Sequence, residues 1–304
     1  MTTRIALASL FIVAAALAYP WESDRDYWIL GIAAAVTVLV FAWWRGLFLT
    51  TRIARWLAIL RRNRRTPAPR TDEAVTVVLA VADPDGHGLS LPVVAGYVNW
   101  FGLRCRTVRV TSLDRGGERR TWISLTLDPR QNLAALQARS AALPVAETAE
   151  VTARRLAEHL RETGLEVALA DDAPAVLAGR GREKWSSVCD DAGAVSAYQV
   201  PVDDALVDRL AEIAAQPVPT WTAIEFRGEI DRLDTVVVAA FRTDEPRRTP
   251  PVAGLIAHRG IQRPLLQNLD PRSPAGLALP ATVRSVGWLA DIGWPVGAGA
   301  VSRT

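Results

Sequence analysis

Lysine, cysteine and histidine are all scarce in this sequence, and each scarcity removes a class of function. Of 35 basic residues only Lys184 is a lysine. A Walker A loop needs a lysine directly before Ser or Thr to reach the nucleotide phosphates. Lys184 instead lies between Glu183 and Trp185, so the chain is not a P-loop ATPase. The two cysteines, Cys105 and Cys189, stand far apart and in no C-x-x-C pattern. That argues against a zinc ribbon and against a disulfide framework, and favours two thiols in a reducing compartment. His87, His159 and His258 show no ligand spacing to one another. A G-x-S-x-G elbow is missing. Gly86-His87-Gly88 and Gly179-Arg180-Gly181 lack the third glycine and the helix of a dinucleotide fingerprint.

Hydrophobic residues, by contrast, make up 50% of the 304 positions, and the mean hydropathy is +0.12. That is high for a soluble enzyme and modest for a polytopic transporter, so a mixed protein is indicated. The basicity is local. Eight arginines (45, 52, 55, 61, 62, 64, 65 and 70) and no acid fall within residues 45–70. With a total of +3, residues 71–304 carry a net −4. A mildly acidic remainder excludes a nucleic-acid-binding domain.

Two uncharged stretches precede that basic run, Ile5–Trp21 and Tyr27–Trp44, separated only by residues 22–26. Each is at the short end of what crosses a hydrocarbon core of about 30 Å. They predict a transmembrane helical hairpin within residues 1–49. Ala16-Leu17-Ala18 imitates a signal-peptide cleavage site, but cleavage there would export only eight residues before the next span. The positive-inside rule puts the arginines, and with them both termini, in the cytoplasm of a multi-pass plasma-membrane protein. Trp21 and Trp28 then belong to an outer aromatic girdle, and Trp43 and Trp44 to an inner one. Leu49, Ile53, Trp56, Leu57 and Leu60 recur at helical spacing, which predicts an amphipathic stalk over residues 50–70. Its arginines (Arg45, Arg52, Arg55, Arg61, Arg62, Arg64 and Arg65) either bind anionic membrane lipids or only fix topology as a solvated run. Thr66-Pro67-Ala68-Pro69 ends the helix.

Residues 71–304 read as a cytosolic α/β domain with a mixed sheet. Val75–Val81 is an apolar run between turn residues, Arg104–Val110 and Thr121–Leu127 form a hairpin, and helices follow over about Asp128–Leu143 and Val145–Thr163. Leu165–Leu169 is a further strand, and residues 171–191 carry no readable pattern. Ala194–Val200, Trp221–Arg227 and Leu233–Phe241 are strands, with a helix over Asp203–Ala215. The order β-α-β-β-α-β is thus followed by β-α-β-β. Leu127-Asp128-Pro129-Arg130 and Asp244-Glu245-Pro246-Arg247 end the two hairpins alike, a weak sign of duplication. A proline-broken tail from Pro250 onward should wrap the domain or a partner rather than add much sheet.

Asp83-Pro84-Asp85-Gly86-His87, directly after the first strand, is the strongest catalytic candidate. Two carboxylates at a strand's C-terminal end can hold a divalent cation against a diphosphate, as in a membrane-tethered glycosyltransferase-like enzyme. The competing reading is a tight turn, for which Pro-Asp-Gly is common chemistry. Asp171/Asp172, Asp190/Asp191 and Asp203/Asp204 read as caps or solvated loops, with Asp203 suited to an N-cap. No other residues suggest a metal, a cofactor or a catalytic centre.

Taken end to end, the chain resembles the EccE family of type VII (ESX) secretion systems. The likeness rests on the hairpin, the arginine-rich exit at 45–65, Pro219-Thr220-Trp221-Thr222, the LDTVVVAAFRT strand and the segment GLIAHRGIQRPLLQNLDPRSPAGL from Gly254 to Leu277. The resemblance implies a non-enzymatic structural subunit of an inner-membrane core complex with EccB, EccC and EccD as partners, no catalytic residues and no cofactor.

Overall fold

The first helical stretch does not form the expected pair of spans. The computed structural model describes residues 9–10, 12–13, 16–17, 24–41, 43–44, 47–64, 73–140, 142–170, 173–247 and 249–299, in two units, 1–66 and 67–304. In the first unit a helix runs over Asp24–Phe41, strands β1 (Trp43–Trp44) and β2 (Leu47–Phe48) pair antiparallel, and a second helix covers Leu49–Arg64. No helix among the described residues is long and apolar enough to cross a membrane. The reason is where the Asp24–Phe41 helix begins. Its 18 residues start with Asp24, Arg25 and Asp26, so the uncharged stretch is not a helix by itself, and the chain leaves the helix before Trp43. This overturns the transmembrane hairpin, and with it the multi-pass plasma-membrane location and the cytoplasmic termini inferred from it.

The expected girdle and stalk residues fall as follows. Trp28 is 74% exposed, and Trp43 and Trp44 lie in the ribbon rather than at a helix end. Most of the stretch 5–21, Trp21 included, lies outside the described residues, as do Arg45 and Arg65. Arg61 and Arg64 are exposed on the Leu49–Arg64 helix, with Arg52, Arg55 and Arg62 half-buried. Ile53, Trp56 and Leu57 of that helix are also exposed.

The second unit is built on one sheet. Its strands include β3 (Val75–Ala82), the short β4 (Leu89–Ser90) and β5 (Asn99–Trp100), β6 (Leu103–Arg115), β7 (Glu118–Leu127), β8 (Glu166–Leu169), β11 (Gly193–Val200), β12 (Thr220–Glu229) and β13 (Arg232–Thr243). With β9 (Arg182–Glu183) and β10 (Val188–Asp190), the spatial order is β8-β3-β7-β6-β12-β13-β11-β10-β9. Every pairing among the described residues is antiparallel, so the sheet is not the mixed one expected from the β-α-β order. Short hairpins such as Gly116-Gly117, both at positive φ, make antiparallel neighbours of strands that follow each other.

That order is symmetric about its middle. Reading outward from the β6–β12 join gives β6, β7, β3 on one side and β12, β13, β11 on the other. Each half runs strand, helix, hairpin along the chain, and the two joined strands are antiparallel. This is the arrangement of two copies of one unit related by an approximate two-fold axis.

Alternation along the strands creates a core on each face. Val108, Val110, Ile224 and Phe226 point to one face, in the same core as Ala153, Leu156, Ala157 and Leu160 of the Val145–Glu162 helix. Leu113, Trp122, Trp221 and Ala223 point to the other, covered by Leu265, Leu266 and Leu269 of the Gln262–Leu269 helix and by Leu277 and Leu279. The tail therefore wraps the sheet. The helix expected over 128–143 is instead a short 3-10 turn, Pro129–Gln131, and a helix over Leu133–Gln137. Asp128 caps the turn by accepting from the Arg130 N–H at 2.9 Å.

Candidate functional site

Asp83 and Asp85 do not converge. Asp83, at the end of β3, is 2% exposed, whereas Asp85 is exposed. The Asp83 carboxylate accepts from the backbone N–H of His87 at 3.0 Å and of Gly88 at 2.6 Å. Burial by itself would raise its pKa, but the N–H donors of Gly88, His87 and Gly86 outweigh that and hold it below the ordinary value. The His87 ring adds a contact at 3.8 Å. Asp83 thus closes its own turn, with Gly86 and Gly88 at positive φ, and the turn reading displaces the two-carboxylate metal site. Among the described residues no three His, Cys, Asp or Glu side chains gather as a metal site would require.

The other singled-out groups also have structural partners. Asp190 accepts from Arg242 at 2.5 and 2.9 Å and from the N–H of Ala178. Burial opposes its ionisation, and these donors overcome it and lower its pKa. Asp203 pairs with Arg209 at 2.7 Å and accepts from the Ala205 N–H, just ahead of the Leu206–Ala214 helix. His258 bonds Gln199 at 2.8 Å, and His159 lies beside Trp100. Cys105 is buried, and burial pushes its thiol up to about 12. Asp171 and Asp172 lie outside the described residues.

The most concentrated polar chemistry sits at the sheet's symmetric join and was not singled out from the sequence. Arg109 of β6 and Glu225 of β12 are register partners, with side chains 1% and 0% exposed. Arg109 donates to Glu225 Oε2 through Nε at 2.9 Å and Nη2 at 2.7 Å. Its remaining N–H groups reach tail carbonyls: Asn268 at 2.5 Å, Asp270 at 3.2 Å and Ala275 at 2.7 Å. The Leu277 N–H donates to Glu225 at 3.0 Å, and Ser124 Oγ donates to the Pro271 carbonyl at 2.6 Å. Gly276 is needed here, because a Cβ would stand 2.9 Å from Glu225 Oε1. A buried ion pair is tolerated only when its remaining donors and acceptors are met, and the tail meets them. One signal was available: a charge on each of two strands, flanked by apolar residues in TVRVTS and TAIEFR.

A groove lies at the opposite end of the first half. It is a cavity of about 460 Å³ lined by Val75–Val78 of β3, by Ala146 and Glu150, by Leu169 and Ala170, and by Arg272. Among the described residues β8 pairs with β3 over Leu79–Ala82, and the Ala170 N–H extends that line by donating to the Val78 carbonyl at 2.9 Å.

These features define a sheet-built domain whose buried charges tie its own halves and tail together. The comparisons give it a family. Residues 116–200, from β7 to β11, match the EccE family model, described as a type VII ESX secretion system translocon. The chain is 50% identical over 293 residues to the "ESX-3 secretion system protein EccE3" of Mycolicibacterium smegmatis, covering 94% of each. Proteins of the same name from two strains of Mycobacterium tuberculosis are 44% and 43% identical over 281 residues, 89% of this chain and 85% of theirs. The chain belongs to the EccE family, and is a type VII secretion system component, as the sequence resemblance implied.

Proposed function

We propose that this protein is a non-catalytic structural subunit of an ESX-3-type secretion complex, where its sheet domain contacts EccB, EccC and EccD. The observation that carries the reading is the end-to-end match to relatives named for ESX-3 secretion. Two physical features support a scaffold role. The carboxylates that a glycosyltransferase-like site would use are separated, one buried in a turn and one in solvent. The Leu49–Arg64 helix presents Ile53, Trp56 and Leu57 to solvent beside its arginines, an apolar strip of the kind that protein partners cover.

Affinity purification of the tagged chain from its native host tests the proposal. EccB, EccC and EccD should co-purify, and exchanging Ile53, Trp56 and Leu57 for Ser should weaken that recovery at least threefold. A tagged chain that restores secretion yet recovers none of the three would refute the scaffold reading.

A further inference from the structure

A hairpin at one end of the sheet presents an aromatic side chain that the fold does not bury. β5 and the start of β6 pair Asn99 with Arg104 and Trp100 with Leu103, so Phe101 and Gly102 form a two-residue turn. Both are at positive φ, +48° and +76°. Asn-Gly is the favoured pair in such a turn, and a bulky side chain in the first place is strained. Phe101 nevertheless holds that place and is 81% exposed, whereas no other large apolar side chain described in the second unit exceeds 47%. Single exposed apolar residues are ordinary. Backbone strain of this kind, however, collects at functional sites.

The hairpin is also braced. The Asn132 side chain accepts from the Arg104 N–H and donates to its C=O, each at 2.8 Å. Glu229 accepts from Asn99 at 3.2 Å and pairs with Arg104 at 2.9 Å. The residues that follow these two braces, Leu133 and Ile230, are apolar and exposed. Beneath the tip, Trp100 stacks on the buried Tyr97 with ring centroids 4.7 Å apart, and Phe101 meets Trp100 edge-on at 5.1 Å. A rigid aromatic on a packed base, with apolar neighbours around it, has the build of a protein-binding hot spot.

The charges beside the tip select the partner. The Val145–Glu162 helix turns the face that carries Arg155, Glu158, His159 and Glu162 toward this aromatic pair. The His159 ring is 6.4 Å from Trp100, and Arg155, Glu158 and Glu162 all act electrostatically on the Tyr97 hydroxyl. The three charged residues are exposed, and none forms an ion pair with another described residue. Two carboxylates against one guanidinium, at the negative C-terminal end of the helix, make the rim acidic. Arg104 and Glu229 cancel each other. Such a rim repels an anionic lipid surface and attracts a basic protein surface.

We propose that this hairpin tip is a docking anchor. Phe101 enters an apolar pocket on another subunit of the secretion complex, and basic residues rimming that pocket face Glu158 and Glu162. The partner's identity rests on the scaffold reading, whereas the anchor is argued from this chain's geometry alone.

The test uses the tagged full chain purified from its native host. The photo-reactive p-benzoylphenylalanine, placed at position 101, should cross-link on irradiation to EccB, EccC or EccD. Phe101→Asn relaxes the turn while deleting the ring, and should lower recovery of the cross-linked subunit at least fivefold. Phe101→Tyr keeps the ring and should retain at least half of that recovery. Equal losses from both substitutions overturn the inference, because the partner would then not be reading the ring. Glu158→Lys combined with Glu162→Lys should lower recovery at least threefold, and Arg155→Gln should not lower it. If the parent chain recovers none of the three subunits, the scaffold reading falls and the anchor falls with it. If the parent recovers them and Phe101→Asn recovers them equally, the anchor alone is overturned. Cross-links confined to this chain's own residues, or to lipid, also overturn it, since the tip would then have a different occupant.

Discussion

Replacing Arg109 by Ala removes, in one step, the bonds to Glu225 and to the carbonyls of Asn268, Asp270 and Ala275. The Glu225 carboxylate then stays buried with the Leu277 N–H as its main donor. Breaking a buried pair from one side costs about 3–5 kcal/mol. Arg227 Nε already stands 3.5 Å from Glu225 Oε1 and can close in, which places the cost at the low end, about 3 kcal/mol. In a domain of this size that lowers Tm by about 6–12 °C. Calorimetry reads the stability, and hydrogen exchange reads where it is lost. The Leu277 amide and the Gln262–Leu269 helix should exchange faster than the β6–β7 hairpin, because the tail loses its anchor first. Arg109→Met combined with Glu225→Leu buries no charge, and should recover about 1–2 kcal/mol relative to Arg109→Ala. A Tm within about 2 °C of the parent for Arg109→Ala, with Leu277 protection unchanged, would falsify the assignment of this pair as the tail's anchor.

Other perturbations separate local effects. Asp83→Ala leaves two backbone donors unmet and should cost about 1–3 kcal/mol, whereas Asp85→Ala should change stability by less than about 0.5 kcal/mol; urea titration distinguishes the two. Asp83 and Asp190 have lowered folded-state pKa values, so their stabilisation is complete above the ordinary carboxylate range and is lost as pH falls through the lower folded values. Asp83→Asn with Asp190→Asn should therefore flatten the acid limb of Tm against pH below about pH 4 and leave its slope near neutrality unaltered. Cys105, buried and shifted to about 12, should resist alkylation at pH 8 in a Cys189→Ala background until the protein unfolds; labelling of the native chain would contradict its placement. Phe101 holds φ +48 at the hairpin tip while 81% exposed. Phe101→Asn should stabilise by about 0.5–1 kcal/mol, since a bulky side chain disfavours that conformation and Asn does not. A loss of stability would mean that the edge contact of Phe101 with Trp100 outweighs the strain.

What the sequence made legible was local. Apolar runs bounded by turn residues located β3, β7, β11, β12 and β13 because each strand announces itself within eight to twelve residues. The 145–162 helix was equally plain, since Ala149, Ala153, Leu156 and Leu160 repeat at helical spacing. Of the unreadable stretch 171–191, the described part, residues 173–191, was hidden for a physical reason. Their short strands are held by Arg242 on Asp190 and by the Arg263 N–H on Glu183, partners 52 and 80 positions away, and no local pattern encodes such ties. The Arg109–Glu225 pair was missed likewise, its members being 116 positions apart. The transmembrane expectation failed differently. A hydropathy window finds an uncharged stretch, but it does not fix where a helix starts, and starting at Asp24 brought three charges into the Asp24–Phe41 helix.

The buried pair stands where the two halves of the sheet join. Each half contributes one charge, Arg109 from β6 and Glu225 from β12, at register partners of the single strand pair that joins the halves. Neither half could bury its own charge alone, because an unpaired ion in a dry core costs far more than the strand pairing returns. The pair by itself is still incomplete. Arg109 has N–H groups left over, and Glu225 has lone pairs left over, and both sets are met only by the backbone of residues 268–277. That segment follows both halves in the chain, and it closes the face on which Leu265, Leu266 and Leu269 pack.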